Sequence, residues 1–264
     1  MARAEAQSRG CLRLAASPGG HTYLGGKPEL PANSEWPTWK GNPLGFLAQL
    51  DLNAAPKESW PKWMPTTGRL LFFYDAEQST WGFDPSDLGS WRVIHVAGEE
   101  GLSAREAPSS LPSHSIRSRK PLKFVAGLSV PSWERIVGQG HTNLTSDEET
   151  KVEAFLDRAH ARATALGPQH QLFGLPAPIQ GDEMELECQL ASNGLYVGDA
   201  TGYQHPRRFE LEEGATDWEL LLQLDSDDDA DMMWGDAGAL YFWIRKQDAE
   251  KADFSKVWMV LQCG

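Results

Sequence analysis

The sequence predicts an α+β fold with a mostly antiparallel, β-rich core, built from two duplicated, pseudo-two-fold related halves with flanking helices. Three observations predict it. Strand-length runs such as RLLFFY (69–74) and LYFWI (240–244) are apolar on both faces, which places them inside a domain. One long amphipathic stretch, 146–166, separates two halves that carry the same signals. Those signals recur in order: GKP (26–28) and GLP (174–176), FLAQLD (46–51) and LLLQLD (220–225), GRLLFFY (68–74) and GALYFWI (238–244), WRVIHV (91–96) and WMVLQC (258–263). Alternation keeps its phase between copies, matching Ala48 with Leu222, Gln49 with Gln223 and Leu50 with Leu224. A one-residue slip would invert every side chain, so shared phase outweighs letter identity.

Taken in order, residues 1–17 have arginines but no apolar h-region, so they are no secretory signal and are expected to form a loosely ordered leader. Residues 18–45 carry glycine and proline at almost every turn, which gives an irregular entry loop. These glycines lack the Lys-Ser or Lys-Thr ending of a phosphate cradle. Strands follow at 46–52, 69–74 and 91–96, then a polar excursion at 98–121, a strand at 122–128 and a short helix at 132–137. The long helix starts at Ser146 as N-cap, with Glu149 completing a capping box. Its stripe is Val152, Phe155, Leu156, Ala159, Ala163 and Leu166, and Gly167-Pro168 stops it. A shorter helix, 183–192, takes Asp182 as its cap. The expected organisation is one domain, 18–264, made of quasi-repeats at about 18–140 and 168–264 joined by helix 146–166.

Composition excludes several functions. The net charge of −13, from 24 basic and 37 acidic residues, repels phosphate backbones and anionic membrane surfaces. Nucleic acid and membrane partners are therefore not expected, whereas another protein with a basic face suits the field. No apolar run reaches the ~18 residues of a membrane span. Three cysteines, Cys11, Cys188 and Cys263, are odd in number and not at metal spacing, which fits a reducing cytoplasm.

The densest cluster is the acidic loop after Leu224. Asp225, Asp227, Asp229 and Asp231 alternate, and Asp236 follows eleven residues after the first. Calcium loops set oxygen ligands at such positions because a hard cation takes six to eight oxygens. Ala230 where glycine is wanted, Asp236 in place of glutamate, and flanking strands all depart from that pattern. The expectation divides between a solvated turn, a Ca²⁺ or Mg²⁺ site, and a docking patch in which Met232, Met233 and Trp234 touch a partner. Gln49 and Gln223, with Asp51 and Asp225 beyond them, are candidates to line a cleft shared by the two halves. Simple hydrogen bonding to a neighbouring strand or loop is the plainer alternative.

Eleven tryptophans can make a sugar-stacking platform, although core and loop packing explains them more simply. The seven histidines, His21, His95, His114, His141, His160, His170 and His205, are scattered and read as surface or capping residues. Asp182, Glu183, Glu185 and Glu187 read as an exposed helix face. No nucleophile motif is present.

GGKPELPANSEWP, PLGFLAQLDL and GRLLFFYD resemble the opening segment of the bacterial YwqG-like family. HQLFGLPAPIQGDEMELECQLASNG resembles its middle block, and LLLQLDSDDDADMMWGDAGALYFWI with DFSKVWMVLQC resembles its closing segment. The resemblance covers about residues 18–264 and implies a compact, duplicated α+β fold of undetermined function, with no catalytic residue to carry over. Relatives among toxin and immunity genes add the implication of a neutralising role. The expected function is a protein-binding, immunity-type module without catalysis and without a cofactor. The alternatives are a metal-dependent enzyme or calcium-binding protein using the Asp225–Asp236 loop, and glycan binding through exposed tryptophans.

Overall fold

The computed structural model describes residues 2–58, 60–138 and 144–264. Ten strands make one large antiparallel sheet: β1 (Arg9–Ala16), β2 (Tyr23–Leu24), β3 (Gly45–Asp51), β4 (Arg69–Tyr74), β5 (Trp91–Val96), β6 (Lys120–Ser129), β7 (Gln171–Leu172), β8 (Trp218–Asp225), β9 (Ala239–Arg245) and β10 (Trp258–Gln262). Their spatial order is β10-β9-β8-β7-β1-β6-β2-β3-β4-β5. Outward from the central β1–β6 pair, each side therefore runs through a two-residue strand and then three consecutive hairpin-like neighbours. Seven α-helices accompany the sheet among the described residues: α1 (Ala2–Gln7), α2 (Trp133–Val137), α3 (Ser146–Thr164), α4 (Met184–Ser192), α5 (Ala200–Gln204), α6 (Arg208–Leu211) and α7 (Lys246–Glu250). The fold is α+β.

The sheet curls until it is nearly closed, like a barrel, which removes most of the exposed edge that a ten-stranded sheet would present. Phe72 of β4 and Phe242 of β9 face each other across the interior with ring centroids 5.1 Å apart. At the closure Trp91 of β5 and Trp258 of β10 stack edge to face at 5.0 Å, and the Trp91 indole donates to Val257 O at 2.8 Å. Trp258 donates to Gly82 O, also at 2.8 Å. Gly82 has φ +83°, and a Cβ there would lie 1.8 Å from Met259 O, so only glycine permits this approach.

Both faces of the outer strands are buried. Leu70, Phe72, Leu222, Leu224 and Phe242 fill the interior, while Leu71, Phe73, Phe46 and Tyr23 form a second cluster outside it with Leu30. Each such side chain contributes about 1.5–3 kcal/mol when fully buried. The β3–β4 ladder shifts register between Phe46 and Ala48, and the β8–β9 ladder shifts between Leu220 and Leu222. The bulge thus falls at the second letter of FLAQLD and of LLLQLD. The fourth echo of the sequence is out of step with the ladders: Phe73 faces Arg92, whereas Trp243 faces Trp258. Trp91 and Trp258 share a letter but sit one residue apart in register.

Three expectations are corrected. Residues 9–16 are not a loosely held leader. They form β1, hydrogen-bonded to β6 on one side and β7 on the other, with Cys11, Leu12 and Leu14 buried. Leu12 and Leu14 alternate with Cys11 and Arg13 as a strand requires, and Arg9 and Arg13 disguise it. The cap of α3 is Thr145, one residue earlier than expected: its side chain accepts from Glu148 N, and Glu148 reaches back to Thr145 N. Glu183, not Asp182, precedes α4, and Asp182 is occupied elsewhere.

Candidate functional site

The acidic loop places its carboxylates on separate protein partners. Asp227 is buried; it receives Lys120 Nζ at 2.8 and 2.9 Å and His170 Nε2 at 3.0 Å. His170 Nδ1 accepts from Asp225 N at 3.1 Å, which fixes the tautomer with the proton on Nε2, aimed at Asp227. Burial raises the Asp227 carboxyl, but the bonds from His170 and Lys120 outweigh it and bring it down to about 2. Asp225 accepts from Gln169 N and Ser226 N, Asp229 shares Lys120, and Asp231 accepts from Ser118 N. Asp236 uses its carbonyl, bonded to Gly264 N at 2.9 Å. Among the described residues no three His, Cys, Asp or Glu side chains are grouped to hold a metal ion. Within this alternation lies a short 3-10 turn, Asp228–Ala230, and Lys120 at the start of β6 bonds Asp227 and Asp229 on it.

The Met-Trp segment divides. Met232 and Trp234 are core residues, 1% and 0% exposed, and Met233 alone points outward at 48%. Trp234 stacks on Tyr74 and under the Arg117 guanidinium, so its role is packing rather than partner contact. Tryptophans elsewhere are likewise committed. Trp36 packs on Phe73, and Trp60 and Trp63 on Phe173. Trp81 is the one that reaches the exposed class among the described residues, so no sugar-stacking row is formed there.

Gln49 and Gln223 do not meet in a cleft. Each is buried within its own part of the sheet and ties a crossing loop to it. Asp51 caps the turn after β3 by accepting from Asn53 N, and Asp225 holds Gln169. His170 is a core connector, corrected from a surface residue; His141 lies outside the described residues. The acidic run of α4 is corrected too. Arg135 of α2 clamps Asp182 with two bonds and Glu185 with two more. Glu187 lies in the same buried region; burial, and then the neighbouring Glu183, push its carboxyl up to about 7.

Sequence reasoning missed the site that the geometry favours. Helix α3 is held at its N-terminal half, where Val152 packs with Ala4 of α1 and Ile136 of α2. Its C-terminal half spans the outer face of β1 and β6 without filling the space beneath it. Two cavities flank it there, of about 310 Å³ and about 230 Å³. Arg13, Leu128, Val130, Ala159 and Ala163 line both. Arg13 is only 6% exposed, yet its partners are neutral: Nη1 donates to Gln171 Oε1 and Nη2 to Ala163 O, both at 3.3 Å. Its Nε–H has no partner among the described residues. Burial pulls the Arg13 pKa down from its ordinary value, partly countered by Cys11 and Asp225. Cys11 offers no thiolate, because burial pushes it up to about 11. The one available signal is an arginine on the face of the CLRLA run opposite Leu12 and Leu14, within the segment expected to be a leader.

No helix among the described residues is long and apolar enough to cross a membrane. A comparison with curated proteins returns no match. A family defined from sequence alone does match, from β2 to the end of β10, over residues 22–263. The chain belongs to that family, which is described as a domain of unknown function (DUF1963).

Proposed function

We propose that this chain is a binding module without covalent chemistry, and that the space beneath α3 is where it binds. One observation carries this reading. The buried Arg13 borders a cavity of about 310 Å³ whose other walls are mainly apolar, including Leu156, Leu175 and Pro176. Small-molecule sites have this make-up, a concave apolar lining with few polar groups, at volumes of roughly 300–1,000 Å³. Within the family the YwqG-like resemblance adds no chemistry against this reading. The three free, buried cysteines agree with the cytoplasmic residence that belongs to it.

The test is ligand-observed NMR with a neutral and charged fragment set, repeated on Ala159→Trp. Ala159 borders both cavities, and a tryptophan there occupies them. Fragments that bind the parent protein and not the variant, with slower amide exchange along 146–164, are expected. If no fragment distinguishes the two proteins, the cavity is not a binding site.

A second reading, a protein partner with a basic face in an immunity-type role, is favoured by the loop tip. Asp228, Asp229, Asp231 and Asp236 stay exposed there around the exposed Met233. Capture of a partner that Met233→Asp releases, and that salt weakens, supports it. Retention of that partner by the variant removes it.

We also infer an internal duplication. Its support is the strand order read outward from β1–β6, the bulges at Leu47 and Leu221, and two central bonds of matching kind. Leu14 N donates to His170 O beside β7, and Leu122 N donates to Thr22 O beside β2. Helix α3 is then an addition to one half only, which is why the cavity beneath it has no counterpart.

A further inference from the structure

Resting on the cavity beneath α3 as the binding site, we propose that its ligand is a small organic acid whose carboxylate is held by Arg13. Three features select this class. Arg13 lines the cavity and each of its two Nη atoms makes one bond, to Gln171 Oε1 and to Ala163 O, which leaves each a second N–H. A guanidinium presents its donors as a planar fork that matches a carboxylate. No protein carboxylate bonds it: its two partners are an amide oxygen and a main-chain carbonyl, Cys11 is a neutral thiol, and Asp225, which acts on it only through space, is held by Gln169 N and Ser226 N. The nearest acidic lining residue, Glu134, lies at the exposed rim. Gln171 is locked in place by donating to Phe173 O and Leu175 O, at 3.2 and 2.7 Å, so it holds Arg13 without competing for the ligand. The walls offer Leu156, Ala159, Leu175 and Pro176 to an apolar body. A volume of about 310 Å³ is at the small end for ligand sites, which suits a short-chain or single-ring acid. A phosphate monoester has the charge but brings a tetrahedral, more strongly hydrated head to a pocket with one arginine.

The full chain is titrated by thermal shift and calorimetry with hexanoate and phenylacetate, with hexanamide and phenylacetamide, and with inorganic phosphate. The acids are expected to raise Tm saturably, and the amides to bind at least 10-fold more weakly. Arg13→Gln is expected to lose that 10-fold preference while its own unliganded Tm stays level or rises, because a buried unpaired charge has been removed. Arg13→Lys, which keeps the charge without the fork, is expected to retain part of the preference. Equal binding of acid and amide, phosphate binding as tightly as the acids, or an acid preference that survives Arg13→Gln would each overturn the carboxylate assignment. In those cases binding that Ala159→Trp still abolishes leaves the cavity reading standing. If no probe shifts Tm and Ala159→Trp changes nothing, the cavity reading and this proposal fall together.

Discussion

Gln49 and Gln223 make the same pair of main-chain bonds in different parts of the sheet. Gln49 Oε1 accepts from Glu29 N at 2.9 Å and its Nε2 donates to His21 O at 3.1 Å. Gln223 Oε1 accepts from Ala177 N at 2.9 Å and its Nε2 donates to Gln169 O at 3.1 Å. The carbonyl and amide are eight residues apart in both loops, so each glutamine closes a loop of the same span onto the sheet. A buried amide can serve one donor and one acceptor together, which few other side chains can do.

Removing either glutamine should therefore cost a similar main-chain contribution, Gln49 losing in addition the bond that its Nε2 donates to Glu29 Oε2 at 2.6 Å. Gln49→Ala and Gln223→Ala each leave two main-chain groups unpaired, and a loss of about 2–4 kcal/mol is expected for each. The double variant should show the sum, since the sites share no partner. Urea unfolding measures all three. A difference above about 2 kcal/mol between the single variants would mean that the two loops are not equivalent.

The Met-Trp segment of the acidic loop should separate packing from surface. Trp234→Ala is expected to lose about 3–5 kcal/mol, because it opens a cavity against Tyr74 and Arg117. Met233→Ala should change stability by less than about 0.5 kcal/mol. Thermal melts decide it, and equal effects would contradict the burial of Trp234.

At the start of α3, Thr145→Ala removes a cap bond and should destabilise by about 1 kcal/mol. Ser146→Ala, one residue on, should be close to neutral. The reverse order in a chemical-denaturation series would restore Ser146 as the cap.

Two carboxylates should shape the pH dependence of stability in opposite directions. Asp227 is held down to about 2 in the folded protein, so it stabilises above pH ~4 and that contribution disappears as pH falls toward 2. Glu187 is pushed up to about 7, so the folded state favours its protonated form. Its contribution is complete below pH ~4.5 and is lost as pH rises toward 7. Glu187→Gln should flatten the decline between pH 5 and 7, and Asp227→Asn should flatten the acid limb. Asp227→Asn should also cost about 2–4 kcal/mol at neutral pH, because Lys120 loses its buried partner. Melting temperatures from pH 3 to 8 provide the comparison, and unchanged profiles in both variants would refute it.

The sequence by itself determined the long apolar strands and the one long helix. RLLFFY, LYFWI and the 146–166 stripe carry periodicities that burial imposes wherever they fold. It also determined that Gln49 and Gln223 hold matching places, because alternation keeps its phase along each strand. Only the tertiary structure decided that residues 9–16 are the central strand, since pairing partners lie more than 100 residues away at Ser129 and Leu172. The same holds for the acidic loop: spacing lists its oxygens, but Lys120 and His170, distant in the chain, decide where they point. Arg13 is the extreme case. One arginine in a short run says nothing until β1, β7 and α3 converge on it, because an unpaired charge is defined by what fails to surround it.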